Sequence, residues 1–258
     1  MSLTKLIDDW RVHCVNIGEC IQKILETANV PFTAQSSSEP RFIALTLLSR
    51  TLSNLKGAVV LLDNDRIVEA RTIARCCVEN YFWIGGLVYQ GDEFVKRMRH
   101  DEFSQRQATN QVIFQQGLLD EGEELERRVR AFMRDLNNRT NFKSKTLNAK
   151  GVAATAEGLN RSYVIYSMLS SDAAHPSMLA LTRYVVSDQP GGSHFEPEPR
   201  IRPREMEDTY FYLSLACVGV CIGTNELLGA NRGGPMFKQL AERHSALSAL
   251  SDAAGRQP

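Results

Sequence analysis

The chain lacks any excess of charge: across 258 residues, 30 Lys and Arg are matched by 30 Asp and Glu. A balanced chain has no global field to draw in nucleic acid or an anionic membrane, so either partner would need a local patch. Cysteine is sparse too, at positions 14, 20, 76, 77, 217 and 221, with no Cys-x-x-Cys and no histidine at zinc-finger spacing. That removes the common structural zinc sites and offers no disulfide framework. Without a signal peptide at the N-terminus, the expectation is reduced, mostly buried thiols in a cytoplasmic protein. Also missing are a phosphate loop, a strand-led Gly-x-Gly-x-x-Gly, a His-Glu-x-x-His, the Glu-x-x-His pairs of di-iron bundles and a Gly-x-Ser-x-Gly elbow. No cofactor and no metal site is therefore expected. Asp9 and His13, four apart, have a spacing that could hold a metal, but a lone histidine on an apolar face is more often a core residue.

What is present is helical periodicity. Hydrophobic residues make up 43% of the chain and charged ones 23%, ordinary for a soluble globular protein, and the length allows a substantial core. The strongest pattern runs over residues 65–89. Ile67, Ala70, Ala74, Cys77, Tyr81, Ile84 and Val88 recur at spacings of three and four, one seam of an α-helix. The far side carries Phe82, Trp83, Gly86 and Cys76, so this helix is apolar nearly all round and belongs in the middle of the fold. Set into it, four apart, are Arg71, Arg75 and Glu79. An ionised side chain removed from water costs several kcal/mol unless paired, so this ridge must meet partners. An Arg N-terminal to a Glu is the poorer orientation of an i, i+4 pair, worth only about 0.2 to 0.5 kcal/mol, and does not offset burial. The ridge is either a structural ion-pair network or a ligand-facing site.

The remaining pattern predicts helices over 3–28, 41–62, 93–116, 121–137, 152–171, 177–186, 204–228 and 236–250, with 251–258 a disordered tail. The helix at 41–62 and the central one form an antiparallel hairpin, the expected centre of the fold. Gly57 suggests that a neighbour's backbone passes close there. Residues 138–151, with Arg139, Lys143, Lys145 and Lys150, read as a basic surface loop. Residues 187–204, with Gly191, Gly192 and four prolines, read as a long loop with room for a small hairpin. The stretch 210–229 is as long as a membrane span but contains Ser214, Thr224, Asn225 and Glu226, and is expected to be a buried soluble helix. Its Gly219-x-x-x-Gly223 marks close packing, inside a bundle or across a dimer. The fold class is thus all-α: one domain over 1–250, a bundle of about seven or eight helices on a long antiparallel helical hairpin, with one long Pro/Gly-rich loop.

A second stretch bears on chemistry, Tyr166 to Pro176, containing Ser170-Ser171-Asp172-Ala173-Ala174-His175-Pro176. Proline favours the first position of a helix, so His175 is expected at a helix cap, beside the positive end of a dipole. In a bundle this stretch can converge on the Arg71–Glu79 ridge. Glu79 would orient His175, which would act as a general base toward Ser170 or Ser171. Arg71, Arg75, Tyr166, Ser170 and Ser171 would hold the ligand. The alternative is a buried network completed by His175 and Tyr166 through hydrogen bonds.

At these residues the chain resembles an uncharacterised family of bacterial all-helical proteins of unknown function. The resemblance rests on Ala-Arg-x-x-x-Arg-x-x-x-Glu, ending at Glu79, and on Tyr-x-x-x-Ser-Ser-x-x-x-His-Pro, from Tyr166 to Pro176, and spans roughly residues 41–228. It implies a helical fold, singles out Arg75, Glu79 and His175, and carries no established activity. The helical ribonucleases of toxin and defence systems look similar, but their Arg-x(4 to 6)-His spacing is absent from any plausible active helix here. Two function classes stand: a pocket at Arg75, Glu79 and His175 binding a small anionic ligand, with hydrolysis open, or a non-enzymatic interaction module whose ridge is structural. A homodimer through an apolar helix face is expected in both.

Overall fold

The central helix is present and nearly as long as its pattern. In the computed structural model, which describes residues 2–31, 33, 36–116, 124, 127–131, 134, 147–188, 191–202, 204–229 and 233–255, α3 runs from Ile67 to Gln90. It ends at Gly91, whose φ of 53° is a conformation glycine adopts cheaply, and whose N–H donates to the Leu87 carbonyl. Ile67, Ala70, Ala74, Cys77 and Ile84 are buried as the seam predicts. Phe82, Gly86 and Leu87 are buried on the other side, so the helix has neighbours nearly all round.

Those neighbours follow from the rest of the sequence. Helix α1 (Leu3–Thr27) starts where the Ser2 side chain accepts from the Lys5 N–H, and buries Leu6, Trp10, Ile17, Ile21 and Ile24. Helix α2 (Pro40–Leu62) opens with proline in its first turn and buries Leu48, Leu52, Leu55 and Leu62. A turn at 63–66, with Asp65 at φ 57°, reverses the chain into α3, which gives the expected hairpin. After it come α4 (Asp92–Gln115), α5 (Ala149–Ala153), α6 (Glu157–Leu169), a π-helical turn (Ser170–Ala174), α7 (Met178–Leu181), a hairpin of β1 (Val185–Asp188) and β2 (Gly192–Phe195), α8 (Glu205–Leu227) and α9 (Gly234–Ala253). The two antiparallel strands pair Val185 with Phe195 and Val186 with His194. The fold class is all-α, a multi-helix bundle with a small two-stranded sheet in the Pro/Gly-rich segment.

The chain divides into two compact units, residues 1–91 with 149–258, and residues 92–148. In the first unit α3 packs against α2, α6 and α8, while α1 packs against α2, α8 and α9. The α3–α8 contact explains the small residues of α8. A Cβ on Gly219 would lie 2.4 Å from the Tyr81 ring and one on Gly223 2.7 Å from Ile84, so the Gly-x-x-x-Gly surface admits α3 inside the bundle. Among the described residues α8 alone is long and apolar enough to cross a membrane (mean hydropathy 1.2), and 61% of that stretch is buried in the bundle.

Four expectations need correction. A Cβ on Gly57 would meet only the Ile73 side chain, at an ordinary 3.7 Å, so no backbone passes there. The helix expected over 177–186 stops at Leu181, because the β-branched pair Val185 and Val186 enters the hairpin. The tail expected from 251 is helical to Ala253: Ser251 is fully buried and accepts from Trp10 Nε1 at 3.2 Å, and the Arg204 guanidinium donates to the Ala254 carbonyl. The helix expected over 152–171 begins earlier as α5, breaks at 154–156 and resumes as α6. Most of the helix expected over 121–137, and residues 138–146 of the basic segment, lie outside the described residues.

Candidate functional site

The charged ridge of α3 meets two different environments one turn apart. Arg71 is 5% exposed and enters a closed knot of charges. Its Nε donates to Asp172 Oδ2 at 2.9 Å and lies 3.4 Å from Glu205 Oε1; its Nη1 reaches Thr209 Oγ1 at 3.4 Å. Arg183 faces it from the short turn after α7, bridging the same two carboxylates: Nη1 donates to Glu205 Oε2 at 2.9 Å, and Nη2 to both Glu205 Oε1 and Asp172 Oδ2. Asp172, Arg183 and Glu205 are as buried as Arg71. Arg202 closes the edge, its backbone N–H donating to Glu205 Oε2 at 3.0 Å and its Nη1 lying 3.3 Å from Asp172 Oδ1. Two guanidinium groups and two carboxylates neutralise one another, the condition under which buried charge is tolerated. Burial alone would push the Glu205 carboxyl up; hydrogen bonds from Arg183 and the Arg202 N–H, with the charge of Arg71, outweigh it and hold the group below its usual range.

Arg75 sits in the second environment, with its side chain 21% exposed. Its Nε donates to Ser170 Oγ at 2.8 Å, its Nη2 to the Tyr166 hydroxyl, and its Cζ lies 4.6 Å from the Tyr166 ring centroid, a cation–π contact. The charged partner is weaker: Arg75 Nη1 is 3.5 Å from Glu79 Oε2, and Glu79 is 35% exposed. Tyr166 is anchored from behind by Phe82 and stacks with Tyr163, each 5.8 Å between centroids. Burial and the nearby Glu79 charge push its hydroxyl pKa up, so the phenol stays protonated.

Both halves depend on the π-helical turn that follows α6. The wider turn accommodates one more residue than an α-helical turn, with His175 N–H donating to the Ser170 carbonyl five residues back. Ser170 and Asp172, only two apart, can then both reach α3, one to Arg75 and the other to Arg71. In a continuous α-helix residues two apart point to nearly opposite sides.

Of the residues singled out in the sequence, Arg75, Glu79, Tyr166 and Ser170 come together, and Arg71 joins Asp172 in the knot instead. Ser171 and His175 do not join them. Ser171 is exposed, its hydroxyl donating back to the Ser167 and Met168 carbonyls. His175 is exposed, and its ring hydrogen-bonds neither Glu79, Ser170 nor Ser171. It closes the π turn rather than capping a helix, because Ser177 takes the cap of α7, accepting from the Ala180 N–H at 3.1 Å. Sequence reasoning missed Arg183 and Glu205. The one signal available was Glu205 as the first acidic residue of a helix whose start Pro203 announces.

Metal chemistry finds no donor set among the described residues: no group of three or more His, Cys, Asp or Glu could hold an ion. His13 is a core residue at 1% exposure, and Asp9 pairs with Arg243 at 3.2 Å. All six cysteines are free thiols, five of them buried.

The chain belongs to a family described only as a family of unknown function (DUF5677), whose model matches residues 41–193, more than half of the chain. The match covers the central hairpin, the π turn, the whole Arg75 cluster and three members of the knot, leaving Glu205 outside. No curated protein and no solved structure matches.

Proposed function

We propose that this chain binds a small anionic ligand at the half-open cluster of Arg75, Tyr166, Ser170 and Glu79, with the Arg71 knot as its rigid base. One observation carries the reading: Arg75 is held by two neutral hydroxyls, while its one charged partner among the described residues is loosely placed and partly in solvent. A guanidinium fixed in this way is pre-organised for a carboxylate or phosphate, which would displace Glu79 at little cost and gain the Tyr166 and Ser170 hydroxyls as donors. Arg71 takes no part, because its donors are committed to buried Asp172, Glu205 and Thr209. Hydrolysis by a Glu79–His175–Ser relay would require the exposed His175 ring to turn inward.

The test is titration calorimetry with inorganic phosphate and with citrate at low ionic strength, on wild type, Arg75→Ala and Glu79→Gln. The reading requires Arg75→Ala to lose the heat of binding and Glu79→Gln to bind at least threefold tighter, since a competing charge is gone. Equal responses from all three proteins would overturn it. The second reading, a non-enzymatic interaction module whose ridge is purely structural, draws on the closed knot, whose charges are all spent on one another.

A further inference from the structure

A cleft of about 870 Å³ runs along the solvent side of α1 and α2, where the two helices lie next to each other. Arg11 closes one end, donating to the two carboxylate oxygens of Asp63 at 2.6 and 2.7 Å. Further along α1, a Cβ on Gly18 would lie 3.9 Å from Leu55, so the helices run antiparallel and their residues can be matched level by level. The floor is apolar: Cys14, Gly18 and Leu55 are buried, with Val15, Val59 and Val60 around them. Val15 and Val60 stand at one level and are 40% and 61% exposed. Inside the bundle a side chain at position 18 would make only ordinary contacts, so packing does not call for this helix-interior glycine, and its bareness leaves the floor open from outside.

The rim charges say what covers it. One turn beyond Val15, Glu19 stands on α1 at the level of Lys56 on α2; both are exposed, and neither has a side-chain partner among the described residues. Glu26 accepts from Gln22 at 2.9 Å, and Lys23 also borders the α9 side of α1. A second copy turned half a revolution about a line along the cleft sets its α1 on this α2, and its α2 on this α1, with every level unchanged. Val15 then meets Val60 of the second copy, and Glu19 meets Lys56, each of these contacts occurring twice, as in an isologous interface. From Arg11 to Thr27 the shared face is about 25 Å long and two helices, or about 20 Å, wide, so a pair buries about 1,000 Å², the threshold of a specific interface and the size of one that dissociates on dilution. We infer that two copies of this chain associate through α1 and α2, in a four-helix seam whose register is set by Glu19 of each copy on Lys56 of the other.

The test is sedimentation velocity on the full chain at low salt, from about 1 to about 100 µM, a range that brackets a micromolar dissociation constant. The wild type should pass from monomer to dimer across it. Glu19→Lys alone, or Lys56→Glu alone, sets like charges opposite each other at two places and should weaken association at least about tenfold. An equimolar mixture of the two variants should regain the wild-type dimer, because the reversed site of one then faces the reversed site of the other; that recovery also shows both variants to be folded. A wild type that stays monomeric throughout overturns the inference. Uptake of the apolar dye anilinonaphthalene sulfonate by that monomer, lost in Val60→Asp, would make the cleft a ligand site instead. A dimer indifferent to both charge reversals, or a mixture that stays monomeric, overturns it as well, the first by moving the interface off this face and the second by breaking the register. Association and the phosphate and citrate titrations are read on different variants, so each stands or falls independently.

Discussion

Arg71 and Arg75 are one turn apart on the same helix and live under opposite rules. Arg71 is sealed among two carboxylates and a second arginine, where each charge exists only because the others do. Arg75 is reached by solvent and held mostly by neutral hydroxyls. The difference teaches that a charged ridge read from spacing is not one site. Burial decides which of its members are spent on the fold and which remain available for something else.

The largest effect should come from breaking the knot. Removing one member of a buried pair leaves the others uncompensated and costs about 3 to 5 kcal/mol. Arg183→Met or Asp172→Ala should lose that much in urea unfolding, and the two losses together should fall well short of their sum, because both delete the same network. Additive losses would show that the four charges do not act as a unit. Raising salt should change little here, since buried pairs are weakly screened.

Much of this was legible in the sequence, and the limits have physical causes. The α3 seam, the hairpin with α2 and the need of Arg71 for a partner follow from periodicity and the cost of buried charge. Asp172 was visible as part of the Tyr166–Pro176 stretch, but not its pairing, because a single-residue π insertion leaves no mark in a hydrophobic pattern. Arg183 and Glu205 were not legible, being single charges in a turn and at a helix start, where most such residues face water. Nor was the absence of His175 from the cluster: Ser177 outcompetes it for the cap, and a four-residue α7 has no turns in which a residue's placement could be read.

Acid should separate the knot from its surroundings. Glu205 has its pKa held below its usual value in the folded chain, so its contribution is present above the unfolded value near 4.5 and is lost as pH falls through the folded one. His13 acts earlier. Its folded pKa is lowered from 6.5 to about 4, so its neutral form favours the fold fully above pH 6.5, and stability drains away as pH falls toward 4, by on the order of 3 kcal/mol. Stability measured from pH 7.5 to 3 should therefore decline in two stages. His13→Leu should remove the upper stage and Glu205→Gln should remove part of the lower, at a cost to overall stability. A single stage, unchanged by either substitution, would place the acid sensitivity elsewhere.

The half-open cluster should respond more gently. Arg75→Ala loses hydrogen bonds to two neutral hydroxyls from a partly solvated position, about 1 to 2 kcal/mol. Tyr166→Phe should cost less, about 1 kcal/mol, and the two should couple in a double-mutant cycle because they share one contact. A loss from Arg75→Ala as large as that from Arg183→Met would make the cluster an extension of the knot.

The smallest effect is the most informative about the ligand. Glu79 pairs with Arg75 at 3.5 Å in the less favourable helical orientation and from a position 35% in solvent, so Glu79→Gln should change stability by less than about 0.5 kcal/mol. The same substitution removes the carboxylate that, among the described residues, competes for Arg75, so phosphate or citrate should bind more tightly, and the gain should fade as salt is raised. Stability and affinity then move independently, which a residue serving only the fold cannot arrange. If Glu79→Gln instead destabilised the chain by more than about 2 kcal/mol without altering anion binding, the loose pair would belong to the scaffold, and the distinction between Arg71 and Arg75 would be one of exposure alone.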